Sequence, residues 1–437
     1  MNQYIFSSKT RMYLYIAMAV GLISMIFTWI NDDAYHTRFW TNLLHNSVFF
    51  TMIAVMAAFF LTASILAYAG WVSTFKRIWE AYSLFLIVGI VLMLLIGLGV
   101  YFHWHHLYHW GDEAAVAEDS ILKGKSSFLN KNWYFFGTLI FGGIWIFLTQ
   151  KLRTLSLEED RNGGATFAHH KSMRFYAAIL LPLIGFSSSA LIWQWIMSID
   201  AHWYSTLFAW YSSASAFVAM IALTILMLIF LKSGGYFKDV NENHFHDLGK
   251  YLFAISIFWT YLWFSQFMLI WYANIGEETI YFKERYNNYP VLFFLNLVIN
   301  FLVPFFILMR NDTKRKLGSL GIVAAITLFS HWLDYFLMIK PGALITRNEA
   351  MHAHGAEAHS DAVTEPAHDA AHAVAAHGVE HASNFVSGFT IPGLLELGTF
   401  IGFLGLFFYF TLWMISRAAL TPKNDPYLEE SLHHHVI

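Results

Sequence analysis

Cysteine is absent from this chain of 437 residues. That excludes disulfides, thiolate-held iron–sulfur clusters and covalent haem attachment through a CxxCH motif. An electron-handling role would need a mobile carrier, haem held by histidine, or a partner that carries the redox centres. Charge is also scarce, at 13% of residues, about half the roughly 25% of soluble domains. The formal net charge of -3 gives no basis for nucleic-acid binding, and how charge is distributed matters more than its sum. The first apolar run follows Lys9 and Arg11 in the manner of a signal peptide. It is long and ends in Thr28-Trp29-Ile30-Asn31-Asp32 without a small-residue cleavage pattern, so it is expected to stay as a helix.

What the chain has instead is apolar length: 57% of it is hydrophobic and 19% aromatic. Runs long enough to cross a bilayer as helices fall near 12–30, 43–69, 81–104, 133–149, 175–199, 203–231, 250–275, 290–309, 317–340 and 389–416. The expected fold is therefore an all-α polytopic membrane protein with about ten transmembrane helices. An even number of spans puts both termini on one side. Of the 26 Lys and Arg residues, 18 fall on the side of the termini, with Arg310 to Lys316 the densest group. The positive-inside rule then makes both termini cytoplasmic. Glu80, Lys171 and Arg174, near span ends on that side, are expected to snorkel. No complete proton wire across the membrane is visible.

With this orientation His45, His103, Asp200, Gln266, Asn296, His331, Asp334 and Glu396 all fall in or beside the outer half of their spans. Ionisable groups in hydrocarbon are costly and suggest function. His331 and Asp334 are three apart, hence on one helix face. A carboxylate beside an imidazole can fix its tautomer or pass a proton, or the two can merely join helices. Asp200, His202 and Trp203 lie in the tight turn between the fifth and sixth spans. Asp200 is either a proton acceptor or a helix cap. Gln266 sits among aromatics including Trp263, a wall suited to a flat, greasy ring and equally to ordinary packing. Glu277, Glu278 and Arg285 can dock a partner, and Glu396 either relays a proton or snorkels. Pro304 removes the backbone bond to the carbonyl of Asn300 and loosens the eighth span.

Two histidine groups need separate readings. His103-Trp104-His105-His106-Leu107-Tyr108-His109-Trp110 reads as an interfacial cluster rather than a haem or metal site, and no metal ligands are assigned. The segment 349–383 carries His352, His354, His359, His368, His372, His377 and His381 among Ala, Glu and Asp. It reads as an exposed, poorly ordered loop whose spacing is too irregular for one defined metal site.

Three runs carry a resemblance: Ser198 to Thr206, Phe264 to Thr279, and His331-Trp332-Leu333-Asp334-Tyr335. Together they resemble the polysulfide-reductase membrane-subunit (NrfD-like) family, specifically the quinone-binding subunits of bacterial alternative complex III. The likeness extends over nearly the whole chain. It implies two four-helix bundles flanked by the first and last helices, and a periplasm-side quinol pocket in a quinol:cytochrome c (or oxidase) oxidoreductase of the bacterial inner membrane. The divisions expected are 1–42, 43–199 and 200–340 for the first helix and the two bundles, 341–388 for a His-rich periplasmic loop, and 389–437 for the last helix and tail. The proton acceptors would be His331, Asp334, Asp200 and His202, with Gln266, Trp263, Trp203 and Glu396 contacting the substrate. The chain would hold no cofactor of its own. Quinol would be an exchangeable substrate, while c-type haem and iron–sulfur subunits, a homologous membrane subunit and possible oxidase contacts would complete the assembly. The alternative is a non-catalytic anchor and proton conduit beside a homologous quinol-oxidising subunit.

Overall fold

The computed structural model describes residues 3–164, 166–360 (side chains through Glu349) and 386–435. The chain is an all-α protein with ten helices long and apolar enough to span a membrane. They are α1 (Ser8–Ile30), α2 (Thr37–Leu66), α3 (Lys76–Tyr101), α4 (Lys131–Asn162), α5 (Ala168–Ile199), α6 (Leu207–Ser233), α7 (Glu242–Ala273), α8 (Pro290–Leu308), α9 (Leu317–Glu349) and α10 (Leu394–Ile415). A further helix, Gly276–Asn288, joins α7 to α8.

Helices α2 to α5 close one ring of neighbours and α6 to α9 a second, and α2 packs against both α6 and α9 where the rings meet. Burial follows that geometry. In the apolar window of α2, 89% of residues are buried, against 17% in α1, which lies outside the rings against α10. The α1–α10 crossing depends on two glycines: a Cβ on Gly402 would stand 2.4 Å from the Cα of Gly21. Small residues at such crossings let backbones approach where no hydrophobic effect drives association.

Two prolines act differently. Before Pro304, α8 widens into a π-turn over Val298–Leu302, the local adjustment expected where an amide hydrogen is missing. Pro341 does not end α9. The helical backbone runs on to Ser360, into the segment expected to be loop. Pro341 cannot donate to the carbonyl of Leu337, and Arg285 does so instead: its Nε reaches that oxygen at 3.0 Å and its Nη2 reaches the Met338 carbonyl at 3.2 Å. The seven histidines of the 349–383 tract lie outside the residues whose side chains are described.

Not every charged group near a span end reaches the surface. Glu80 is 3% exposed; it accepts from Arg153 Nη1 at 2.5 Å and Ser156 Oγ at 2.8 Å. It is an interhelical pair between α3 and α4, not a snorkelling anchor. The tail beyond α10 docks on the same face. Asp425 pairs with Lys76, Asp160 accepts from the Lys423 amide at 2.8 Å, and Ser431 Oγ donates to the Trp71 carbonyl at 2.8 Å. Gln3 bridges Ala419, so the two ends of the chain meet.

Candidate functional site

On α9, Asp334 is fully buried and accepts four hydrogen bonds from three other helices. Tyr211 of α6 and Asn296 of α8 (2.8 Å) donate to Oδ1; Ser215 of α6 (2.7 Å) and Trp259 of α7 (2.9 Å) donate to Oδ2. Both carboxylate oxygens are thereby saturated. His331 is joined to Asp334 through Ser215 rather than by a direct hydrogen bond. Its Nδ1 lies 2.9 Å from Ser215 Oγ, whose single proton goes to the carboxylate. The hydroxyl therefore accepts, and a neutral His331 ring carries its hydrogen on Nδ1. Its Nε2 is buried without a partner among the described residues.

Beside this hub lies a cavity of about 20 Å³ lined by Tyr211, Trp263, Gln266, Tyr281, Arg285 and Asn296, among others. That is room for one water molecule. The amide nitrogen of Gln266 is buried there without an acceptor among the described residues. No aromatic ligand fits, since cavities that admit a benzene ring are on the order of 150 Å³.

Asp200, His202 and Trp203 stand in a different place. They line a vestibule of about 210 Å³ with His109, Glu277, Tyr281, Glu284, Gly342 and Glu349. Asp200 does not cap α6; its Oδ2 accepts from Arg285 Nη2 at 3.0 Å. Burial pushes the Asp200 carboxyl above its usual range, with the Arg285 charge pulling the other way. His202 Nε2 meets Asp119 at 2.5 Å, and that hydrogen bond holds the Asp119 carboxyl low. Across the opening His109 Nδ1 lies 3.3 Å from Glu349, a bond that raises the His109 pKa. Trp203 and Ala201 also border an apolar groove of about 270 Å³ floored by Phe128, Trp193, Met197 and Tyr204.

Glu396 belongs to a third cluster on the opposite face of α9. It neither snorkels nor meets the others: 1% exposed, it takes Nε and Nη2 of Arg38 at 2.7 and 2.8 Å and Asn42 Nδ2 at 3.0 Å. Asn42 Oδ1 in turn accepts from Lys340 at 2.6 Å. His45 is here too, bonded to the Trp332 carbonyl at 2.9 Å. The proposed site residues thus fall into three chambers rather than one.

Sequence reasoning missed Lys340, Tyr211, Ser215, Trp259 and Tyr281. A lysine inside an apolar run was signal enough for the first, but its place at an assumed span end concealed it. The others carry hydroxyl or indole groups common in any membrane helix. Arg285 was expected to face a partner and is instead 3% exposed, held by Asp200 and the carbonyls that Pro341 perturbs. In the His103 to Trp110 stretch the helix ends at Tyr101, so His105 and His109 are not on successive turns. Among the described residues no three His, Asp or Glu side chains are arranged to hold a metal ion. Comparison with models of known families and with curated proteins finds no match.

Proposed function

We propose that this chain is an integral membrane subunit of a respiratory quinol:electron-acceptor oxidoreductase, and that a quinol docks in the vestibule beside Asp200 and His202. The observation that carries the reading is the joining of two unlike spaces. A ring-sized polar vestibule with carboxylate and imidazole groups meets an apolar groove at Trp203, a shape suited to a protonatable ring with a greasy tail. Quinol oxidation releases two protons as electrons leave. Asp200, made more basic by burial, would accept one, and His202, oriented by Asp119, the other. With no cysteine to hold an iron–sulfur cluster, the chain would pass electrons to iron–sulfur and c-type haem subunits beside a homologous membrane subunit, with a terminal oxidase as a further contact. The membrane would be the bacterial inner membrane, with the docked chain ends cytoplasmic.

A second reading is favoured by the closure of the Asp334 chamber: here the chain is an anchor and proton-handling subunit beside a quinol-oxidising homologue. Turnover of the assembled complex separates the two. Asp200→Asn should lower quinol oxidation by roughly a hundredfold, the low end for loss of a general base, with assembly intact. Full turnover in that variant, together with altered proton release in Asp334→Asn, would leave only the second reading.

A further inference from the structure

Tyr281 borders both the vestibule and the small cavity beside Gln266 and Asn296, and among the described residues no other lines both. Its ring is sandwiched. On one side the Trp203 ring lies parallel at 4.0 Å between centroids and 14° between planes. On the other, the Arg285 guanidinium carbon sits 3.3 Å from the ring centre. Each outer member is itself fixed. Trp203 Nε1 donates to the Glu278 carbonyl at 3.1 Å, and Arg285 is bonded to Asp200 and to the carbonyls of Tyr281, Leu337 and Met338. Stacking and cation–π attraction are each modest, small enough for a competing ring to overcome. Behind the sandwich waits an unpartnered buried group, Gln266 Nε2, of a kind that native interiors rarely leave unsatisfied.

We propose that Tyr281 is a removable partition: a flat ligand ring takes its slot between Trp203 and Arg285, the tyrosine swings aside, and the vestibule and the Gln266 chamber become one. The slot already has the thickness of an aromatic ring, because one fills it. A ligand seated there is covered on its faces by Trp203 and the Arg285 guanidinium, with Asp200 toward one edge and the Gln266 and Asn296 amides toward the other. This rests on the quinol reading for the identity of the ligand but not for the existence of the partition. A rotamer change of one side chain suffices, and the ligand selects the open form by binding it better.

The absence of cysteine makes the test clean. A single thiol is introduced as Gln266→Cys in the full chain, within its native membranes, and its reaction with a small charged methanethiosulfonate is timed. A Thr346→Cys chain, whose thiol faces the vestibule, serves as the accessible control. The thiol at 266 should react slowly with Tyr281 or Tyr281→Phe present. Combined with Tyr281→Ala it should react at least about tenfold faster, as for a tenfold rise in the open population, while the Thr346→Cys rate stays unchanged. A short-tailed quinone substituted at every ring carbon, so that no position is open to addition of the thiol, should speed labelling at 266 with Tyr281 in place, an arm that needs no substitution at the partition. Equal rates with Tyr281 and Tyr281→Ala would overturn the partition. Faster labelling in Tyr281→Ala without any effect of the quinone would instead count against the ligand and leave the partition standing.

Discussion

At the scale of single residues, the same α9 helix carries two buried polar clusters with opposite energetic logic. Asp334 is surrounded by neutral donors, whereas Glu396 answers a charge. Taking one member of a buried ion pair leaves the other uncompensated. Arg38→Ala should therefore destabilise the protein by on the order of 3 kcal/mol, read as a lowered melting temperature in detergent. Lys340→Met should cost less than about 2 kcal/mol, chiefly the unsatisfied oxygen of Asn42, because Glu396 keeps its bidentate arginine. A larger loss from Lys340→Met than from Arg38→Ala would show that Lys340, not Arg38, neutralises Glu396.

At the scale of elements, long apolar helices are specified locally but their crossings are not. The contact of α1 with α10 rests on two hydrogen atoms where side chains would stand, at Gly21 and Gly402. Gly402→Val must push the helices apart, a cost on the order of 2 kcal/mol for overpacking a tight contact. Since α1 makes most of its contacts with α10, the expected outcome is early loss of α1, seen as accelerated proteolysis between α1 and α2 with the remaining spans intact. Unchanged cleavage would mean that α1 is held by its termini alone. The extension of α9 past Pro341 is a second case. A proline marks a helix end in sequence, yet an arginine from a separate helix supplies the missing donor and the helix continues.

At the scale of the whole molecule, the tail beyond α10 closes the face where the chain ends meet. Burial alone would raise the Asp425 carboxyl, but the Lys76 ammonium more than reverses this and its pKa is lowered. A depressed carboxylate contributes stability above its ordinary value near pH 4 and loses it as pH falls through the folded value. The tail should thus become susceptible to an acid-active protease below about pH 4, and Asp425→Asn should expose it at neutral pH. A tail that stays protected in Asp425→Asn would assign its docking to Ser431 and its neighbours.

Sequence alone determined that this chain is a bundle of ten membrane helices, because twenty apolar residues in a row can satisfy their backbone in hydrocarbon only as a helix. It also pointed to the polar residues that repay attention, since a charge in such a run is too costly to be incidental. Which of those residues meet was decided by tertiary structure. Asp200, Asp334 and Glu396 share a depth along the sequence but face different neighbours. Depth follows from position in a span, whereas the direction a side chain faces follows from how helices rotate against one another. That rotation is set by packed glycines, aromatic stacks and borrowed hydrogen bonds between residues far apart in the chain.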